Sequence, residues 1–167
     1  MRIIITVLIV FSSFVTNAVN AELKSTVPSE ICAYMKDLDL ATSGWKGLYG
    51  NSFFCTSQYR ELSPSSSPTN NPNNLTFSVE GDSTTANQAK LVLNVNNRET
   101  AEKSHEELLK ASEVLSLKAT GEKLPKGLKN AIKIGKKAGA KVGFSYVEVV
   151  KEDWPTGKGY EVKILIK

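Results

Sequence analysis

The chain has 167 residues and carries 21 lysines and arginines against 17 aspartates and glutamates, which gives a formal net charge of +4. This length suits one domain with a single core, and so small a positive charge does not predict nucleic-acid binding. With one histidine and two cysteines, the sequence holds few of the side chains that zinc sites need, and we predict neither a metal nor a cofactor.

The first 21 residues have the pattern of a cleaved signal peptide. Arg2 precedes an apolar run over residues 3–15, and Val19 and Ala21 place small residues at the −3 and −1 positions before Glu22. A membrane-spanning helix needs about 20 apolar residues, so this short run favours cleavage near Ala21 over a membrane anchor. We therefore expect a periplasmic or secreted protein, and the style of the signal suggests a bacterial envelope.

Residues 22–62 are predicted to form a small N-terminal segment that begins with a mobile polar leader over residues 22–26. Thr26 and Pro28 are typical of the cap and first turn of a helix. Apolar residues then recur at helical spacing as far as Leu38, which predicts one short helix.

The two cysteines, Cys32 and Cys55, are predicted to form a disulfide within this segment. An even number of cysteines in an exported chain favours a structural bond over a redox pair, since the Cys-x-x-Cys spacing is absent. Closing a loop of about two dozen residues would stabilise the fold by about 3 kcal/mol.

Aromatic residues crowd the stretch around Cys55. Residues 44–50 are rich in glycine and include Trp45 and Tyr49, and residues 51–59 are predicted to be a short extended strand. Packing around the disulfide is favoured because aromatic side chains dominate cores. The alternative, a surface for contact with a ligand, keeps Trp45 and Tyr49 as candidate contact residues.

Residues 63–74 read SPSSSPTNNPNN and predict a linker or long exposed loop. Residues 75–167 are predicted to be the main domain. Two strands come first, over about 75–80 and 91–96, where apolar and polar residues alternate.

Two helices are predicted next. The first begins at Thr100 and runs over about 101–117, with an apolar side that includes His105. The second runs over about 124–136, and Gly135 is a candidate for its C-cap.

The chain is predicted to close with a hairpin, in two β-type runs over residues 141–153 and 160–167. A change of phase in the first run predicts a bulge near Tyr146. The fold class is therefore α+β, a two-layer sandwich in the order β-β-α-α-β-β. It has about four mostly antiparallel strands with two helices on one face, preceded by the small disulfide-linked helical segment.

No catalytic constellation is visible in the sequence. His105 lies on the apolar side of its helix, which favours a packed histidine over a general base. Gly157-Lys158-Gly159 lies between two strands, which favours a hairpin turn over a phosphate loop. Carboxylates cluster at Glu80 with Asp82 and near Glu152, so a small hydrolase with an unrecognised site remains an alternative.

The predicted second helix carries five lysines on one face, with no acidic residue from 123 to 141. They are Lys126, Lys129, Lys133, Lys136 and Lys137. A solvated helix face is favoured, and the alternative is binding to an anionic lipid or to lipopolysaccharide.

Together these features favour an exported, non-enzymatic protein-interaction module of the inhibitor or immunity kind. Its partner is expected to be another envelope or secreted protein, and not nucleic acid. Trp154 and Tyr160 flank the turn of the closing hairpin and join the candidate contact aromatics.

Overall fold

A computed structural model describes residues 22–62 and 71–167. The predicted signal peptide, and residues 63–70 of the predicted linker, lie outside the described residues. Within the described ranges the α-helices are α1 (Pro28–Cys32), α2 (Ala101–Thr120) and α3 (Lys126–Ile134), and 3-10 turns cover Lys36–Leu38 and Arg98–Thr100. The strands are β1 (Lys46–Tyr49), β2 (Ser52–Thr56), β3 (Arg60–Glu61), β4 (Asn74–Gly81), β5 (Ala86–Val95), β6 (Ala138–Val142), β7 (Ser145–Asp153) and β8 (Tyr160–Ile166).

The eight strands of the described residues form one antiparallel sheet in the order β1-β2-β4-β5-β8-β7-β6, with β3 also paired to β4. The α+β class is confirmed, but the four-stranded β-β-α-α-β-β layout is wrong. The N-terminal segment contributes strands as well as a helix, and these strands extend the sheet through β4. The C-terminal part adds three strands where the sequence predicted two.

All three helices lie on one face of the sheet. The strands alternate between buried and half-buried residues, and Leu75, Phe77 and Val79 of β4 are fully buried beneath the helices. Helix α1 packs on β4 and β5, α2 on β5 and β8, and α3 on β6 and β7. The opposite face, called here the open face, carries half-buried side chains such as Thr76 and Lys163. Among the described residues, this arrangement leaves the open face without a covering helix.

Much of the buried side of helix α2 is serine and alanine. Buried Ser112 donates to the carbonyl of Leu108 at 2.6 Å, which satisfies its hydroxyl inside the core. The helix ends at Gly121, whose φ of 80° is the left-handed conformation that glycine favours. The helix therefore runs three residues beyond the predicted end at Leu117.

One local prediction fails where the chain reverses between β6 and β7. Strands β6 and β7 are joined by a tight turn at Gly143 and Phe144, with Val142 opposite Ser145. The predicted bulge near Tyr146 is therefore wrong, because the change of phase marks the end of one strand and the start of the next.

The polar leader is anchored, contrary to the predicted mobility. Residues 22–26, called here the N-terminal strap, run beside α2 and the β6–β7 turn, and Leu23 is buried. Three backbone hydrogen bonds hold the strap, from Glu22 N to Phe144 O at 3.2 Å, from Lys24 N to Ala119 O at 2.7 Å and from Ala86 N to Thr26 O at 2.8 Å.

The last residues of the segment 63–74 are also part of the fold. Asn74 begins β4, and Asn73 is fully buried. The Asn73 amide donates to the carbonyl of Asn97 and to Ser104 Oγ, each at 2.9 Å, and accepts from the Asn97 N–H at 2.7 Å. Asn73 thereby fixes the start of β4 to the N-terminus of α2.

Candidate functional site

The β1–β2 hairpin presents two adjacent and strongly exposed apolar side chains. All four residues of β1 are exposed, and the exposed fractions of Leu48 and Tyr49 are 68% and 88%. The pairing of β1 with β2 shifts between Gly47 and Tyr49, which leaves Leu48 outside the regular register. Contiguous exposed apolar surface is characteristic of contact sites, whereas singly scattered apolar residues are ordinary on protein surfaces. Leu48 and Tyr49 are called here the hairpin surface.

A groove runs from the hairpin surface onto the open face. Its volume is about 380 Å³, and it is lined by Leu48, Phe53, Phe54, Ser78 and Glu80 among others. Phe54 lies opposite Glu80 of β4, so its half-buried ring projects on the open face. The hairpin surface therefore has both a projecting tip and an adjoining groove.

The base of the hairpin is held in place by covalent and aromatic contacts. The predicted disulfide between Cys32 and Cys55 is present and ties α1 to β2, with a Cα–Cα distance of 6.1 Å. Trp45 stacks on Phe53 with ring centroids 6.3 Å apart, and its indole N–H donates to the carbonyl of Asp82 at 3.1 Å. Of the two candidate aromatics here, half-buried Trp45 supports the hairpin and Tyr49 projects from it.

The backbone of β1 is an open edge. Among the described strands, β1 has a neighbour on one side only, which is β2. Unpaired N–H and C=O groups along an edge can accept an added strand from another chain. The apolar side chains of Leu48 and Tyr49 lie beside this edge, so one partner could use both.

The predicted lysine face is only partly formed. Helix α3 ends at Ile134, and Gly135 adopts a left-handed φ of 60°, so Lys136 and Lys137 lie beyond the helix. Lys129 forms an ion pair with Glu113 of α2, which the sequence of α3 alone could not reveal. The remaining lysines of the set are exposed, and these are Lys126, Lys133, Lys136 and Lys137.

Tyr160 lies in the interior, where it joins His105. The Tyr160 hydroxyl is 2.9 Å from His105 Nε2, and His105 Nδ1 is 2.6 Å from the carbonyl of Ile132. Since a carbonyl only accepts, Nδ1 carries a proton, and in the neutral ring Nε2 accepts from the tyrosine hydroxyl. Burial raises the pKa of the Tyr160 hydroxyl. Both side chains are thus satisfied within the core.

Cationic groups lie over the ring of Tyr160. Lys151 Nζ is 4.7 Å and the Arg98 guanidinium carbon is 5.2 Å from the ring centroid, which is cation–π geometry. Trp154 is half-buried at the turn, and the turn joins β7 to β8 as the sequence predicts. At this end of the hairpin, Trp154 is therefore the more accessible of the two candidate aromatics.

The clustered carboxylates bind neighbouring lysines or backbone groups. The ion pairs are Glu80 with Lys90, Glu152 with Lys163, and Asp153 with Lys151. Hydrogen bonds from these lysines lower the pKa of Glu152 and of Asp153, and the N–H groups of Thr84 and Thr85 lower that of Asp82. A general acid working near neutral pH needs a raised pKa, so this geometry favours ion-pair and turn-stabilising roles.

No family model matches this chain, and no curated protein or solved structure is similar to it. Across residues 22–62 and 71–167, no group of three or more His, Cys, Asp or Glu side chains could hold a metal ion. No helix of those same ranges is long and apolar enough to cross a membrane. The geometry of the surfaces therefore carries the functional argument.

Sequence reasoning missed Leu48 as a surface residue. It lies among glycines and aromatics, a composition that equally suits a packed turn. Phe144, with an exposed fraction of 78%, was missed for a different reason, because the sequence pattern predicts a strand where the structure has a turn. The available signal was Gly143 before Phe144, a pairing that two-residue hairpin turns favour.

Proposed function

We propose that the chain is exported, is cleaved near Ala21, and acts in the periplasm or outside the cell as a non-enzymatic protein-interaction module of the inhibitor or immunity kind. The Cys32–Cys55 disulfide supports export, because disulfides persist in oxidising compartments. The observation that carries the proposal is the exposed hairpin surface on an open sheet edge.

Burial of the hairpin surface by a partner would supply binding energy. Burying a side chain such as Leu48 is worth about 1.5–3 kcal/mol, and tyrosines such as Tyr49 are frequent hot spots of interfaces. The disulfide and the Trp45–Phe53 stack hold the hairpin before binding, so little conformational entropy is lost on association. A fixed loop with an apolar tip suits insertion into the cleft of another protein.

The partner we propose is an envelope or secreted protein that offers an apolar cleft beside an extended segment. The extended segment would pair with β1, and the cleft would take Leu48 and Tyr49. Both contacts lie on the same hairpin, so a single partner strand could make them together.

Site-specific crosslinking tests this proposal. A photoreactive residue at position 49 is expected to capture one protein in the organism that encodes the chain, whereas the same residue at exposed position 103 on α2 does not. The captured protein is then purified and its affinity measured by calorimetry. Replacing Tyr49 and Leu48 together by alanine should weaken binding by about tenfold or more.

The matched control is Lys103→Ala, which changes an exposed residue of α2 far from the hairpin. The proposal is wrong if the purified partner binds the double variant as tightly as the native chain. It is equally wrong if crosslinks from positions 49 and 103 identify the same proteins in the same amounts.

A second candidate function is binding to anionic lipid or lipopolysaccharide. The observation that favours it is Ile134, whose exposed fraction is 58% and which lies between Lys133 and Lys136. An exposed apolar residue among cations is typical of surfaces that bind anionic membranes.

Vesicle binding tests the second candidate. The chain should sediment with phosphatidylglycerol vesicles but not with phosphatidylcholine vesicles, and less so at high salt. Glutamate at positions 133, 136 and 137 should abolish sedimentation, while Lys103→Glu should not. Binding that survives the triple charge reversal contradicts this function.

A further inference from the structure

A second groove lies on the open face, at the end of the sheet away from the hairpin surface. Its volume is about 400 Å³, and its lining includes Tyr59, Glu61, Asn74, Asn94, Asn96 and Trp154. It is called here the asparagine groove. The proposed protein interaction does not use the asparagine groove. The groove lies at the start of β4, whereas the β1–β2 hairpin lies beside the end of β4.

The register of the strands builds the floor of the asparagine groove. Glu61 of β3 lies opposite Asn74 of β4, which in turn lies opposite Asn94 of β5. Paired residues share a face, so these three side chains form a row on the open face. Tyr59 precedes Glu61 by two residues and lies on the same side, with an exposed fraction of 68%.

The other side of the groove is formed by Trp154, which is held against the backbone of its own turn. A Cβ on Gly159 would lie 2.4 Å from the Trp154 ring, so only glycine permits this packing. The backbone N–H of Trp154 donates to the Gly159 carbonyl at 3.1 Å, and the Trp154 carbonyl accepts from the backbone N–H of Gly157 at 2.8 Å. The indole is therefore fixed in position before any ligand arrives.

The amides of the floor are oriented by hydrogen bonds that leave part of their capacity unused. Asn94 Nδ2 donates to Asn74 Oδ1 at 2.8 Å, and Asn96 Nδ2 donates to the Pro72 carbonyl at 2.7 Å. Each bond takes one of the two N–H hydrogens on its amide nitrogen, so a second N–H on each remains for a ligand.

We propose that the asparagine groove binds an uncharged glycan. Adjacent sugar hydroxyls both donate and accept hydrogen bonds, and the amide side chains of asparagine offer matching acceptors and donors. The apolar C–H face of a sugar ring can cover the Trp154 or Tyr59 ring. The carboxylate of Glu61 disfavours an anionic ligand. An added peptide strand is excluded at the floor, since both edges of β4 and β5 are already paired.

Titration with neutral oligosaccharides tests this proposal. The chain recovered from the periplasm or medium is titrated with chitotetraose, cellotetraose and maltotetraose, and binding is followed by calorimetry and by amide NMR shifts. At least one sugar should bind saturably and shift residues of the groove. Tyr59→Ala, at an exposed position that should not affect folding, should weaken that binding by roughly tenfold.

Tyr49→Ala is the matched control, because it removes another exposed tyrosine at the other end of the sheet. It should leave glycan binding unchanged while weakening the protein partner, so the two proposals fail separately. The glycan proposal is overturned if no neutral sugar saturates, if Tyr59→Ala binds as well as the native chain, or if only sulfated polysaccharides bind and salt removes them.

Discussion

The hairpins β1–β2 and β7–β8 lie on opposite sides of the sheet centre and are stabilised in different ways. In β7–β8, strand β8 lies between β5 and β7, and its alternate residues, such as Ile164, are fully buried. In β1–β2, strand β1 lies at the edge and is exposed along its whole length. The edge hairpin depends on a disulfide and on the Trp45–Phe53 stack. A covalent link thus allows apolar side chains to stay at the surface.

The largest effect is expected from truncating the central hairpin. Ile164→Ala should lower the free energy of unfolding by about 3–4 kcal/mol, because it leaves a cavity beneath α2 at a fully buried position. Leu48→Ala at the exposed tip should change it by less than about 0.5 kcal/mol. Urea denaturation followed by circular dichroism measures the free energy of unfolding of both variants. Equal decreases would contradict the proposed difference in stabilisation between the two hairpins.

Removing the disulfide should destabilise the edge hairpin next. The Cys32→Ser and Cys55→Ser double variant should lose about 3 kcal/mol. Amide hydrogen exchange should accelerate more in β1 and β2 than in β7 and β8, since the central hairpin retains its burial. A uniform acceleration across the sheet would show that the disulfide does not act locally.

A smaller effect is expected from the hydroxyl of Tyr160. Tyr160→Phe removes the donor to His105 Nε2 and leaves a buried acceptor unsatisfied, which should cost about 1–2 kcal/mol. Tyr49→Phe removes an exposed hydroxyl and should be nearly neutral. Thermal unfolding of both variants measures the difference, and equal midpoints would contradict the hydrogen bond.

The smallest effect concerns Glu107, whose side chain links α2 to β3 through Arg60 at 3.3 Å. The hydrogen bond from Lys110, with the charge of Arg60, lowers the pKa of Glu107 below its usual 4.5. The unfolded chain therefore binds the proton more readily, so this stability is present above pH 4.5 and is lost as the pH falls through the folded pKa.

Glu107→Gln should accordingly reduce stability at neutral pH and flatten its decline on acidification to about pH 3. Urea midpoints across that range measure the effect, with exposed Glu106→Gln as the matched control. If the urea midpoint of Glu107→Gln falls with acidification as steeply as that of the native chain, the ion pair contributes nothing measurable to stability.

The difference in burial between the two hairpins also decides which strands could be predicted from the sequence. The alternation of β4, β5 and β8 was visible because buried residues alternate with less buried ones along most of each strand, so the period of two is strong. Strand β1 was missed because every residue in it is exposed and no alternation arises. Sequence periodicity reports burial, so an edge strand without burial leaves no such signal.

Features that depend on distant partners were also beyond prediction. Lys129 pairs with Glu113 from another helix. Asn74 and Asn94 of the asparagine groove lie side by side only because of the register between β4 and β5. The disulfide was predictable because two cysteines in a chain expected to be exported have few alternatives. Tyr49 was singled out as a contact residue, whereas Leu48 beside it was not.

For the proposed export of the chain, the N-terminal strap restricts the order of events. Peptidases cut extended and accessible chain, yet Glu22 and Lys24 are hydrogen-bonded to the folded domain immediately after the proposed cleavage site. Ser145 Oγ also donates to the Glu22 carbonyl at 2.7 Å. If the signal peptide is removed at the proposed site, its removal would therefore have to precede docking of the strap against α2 and the β6–β7 turn.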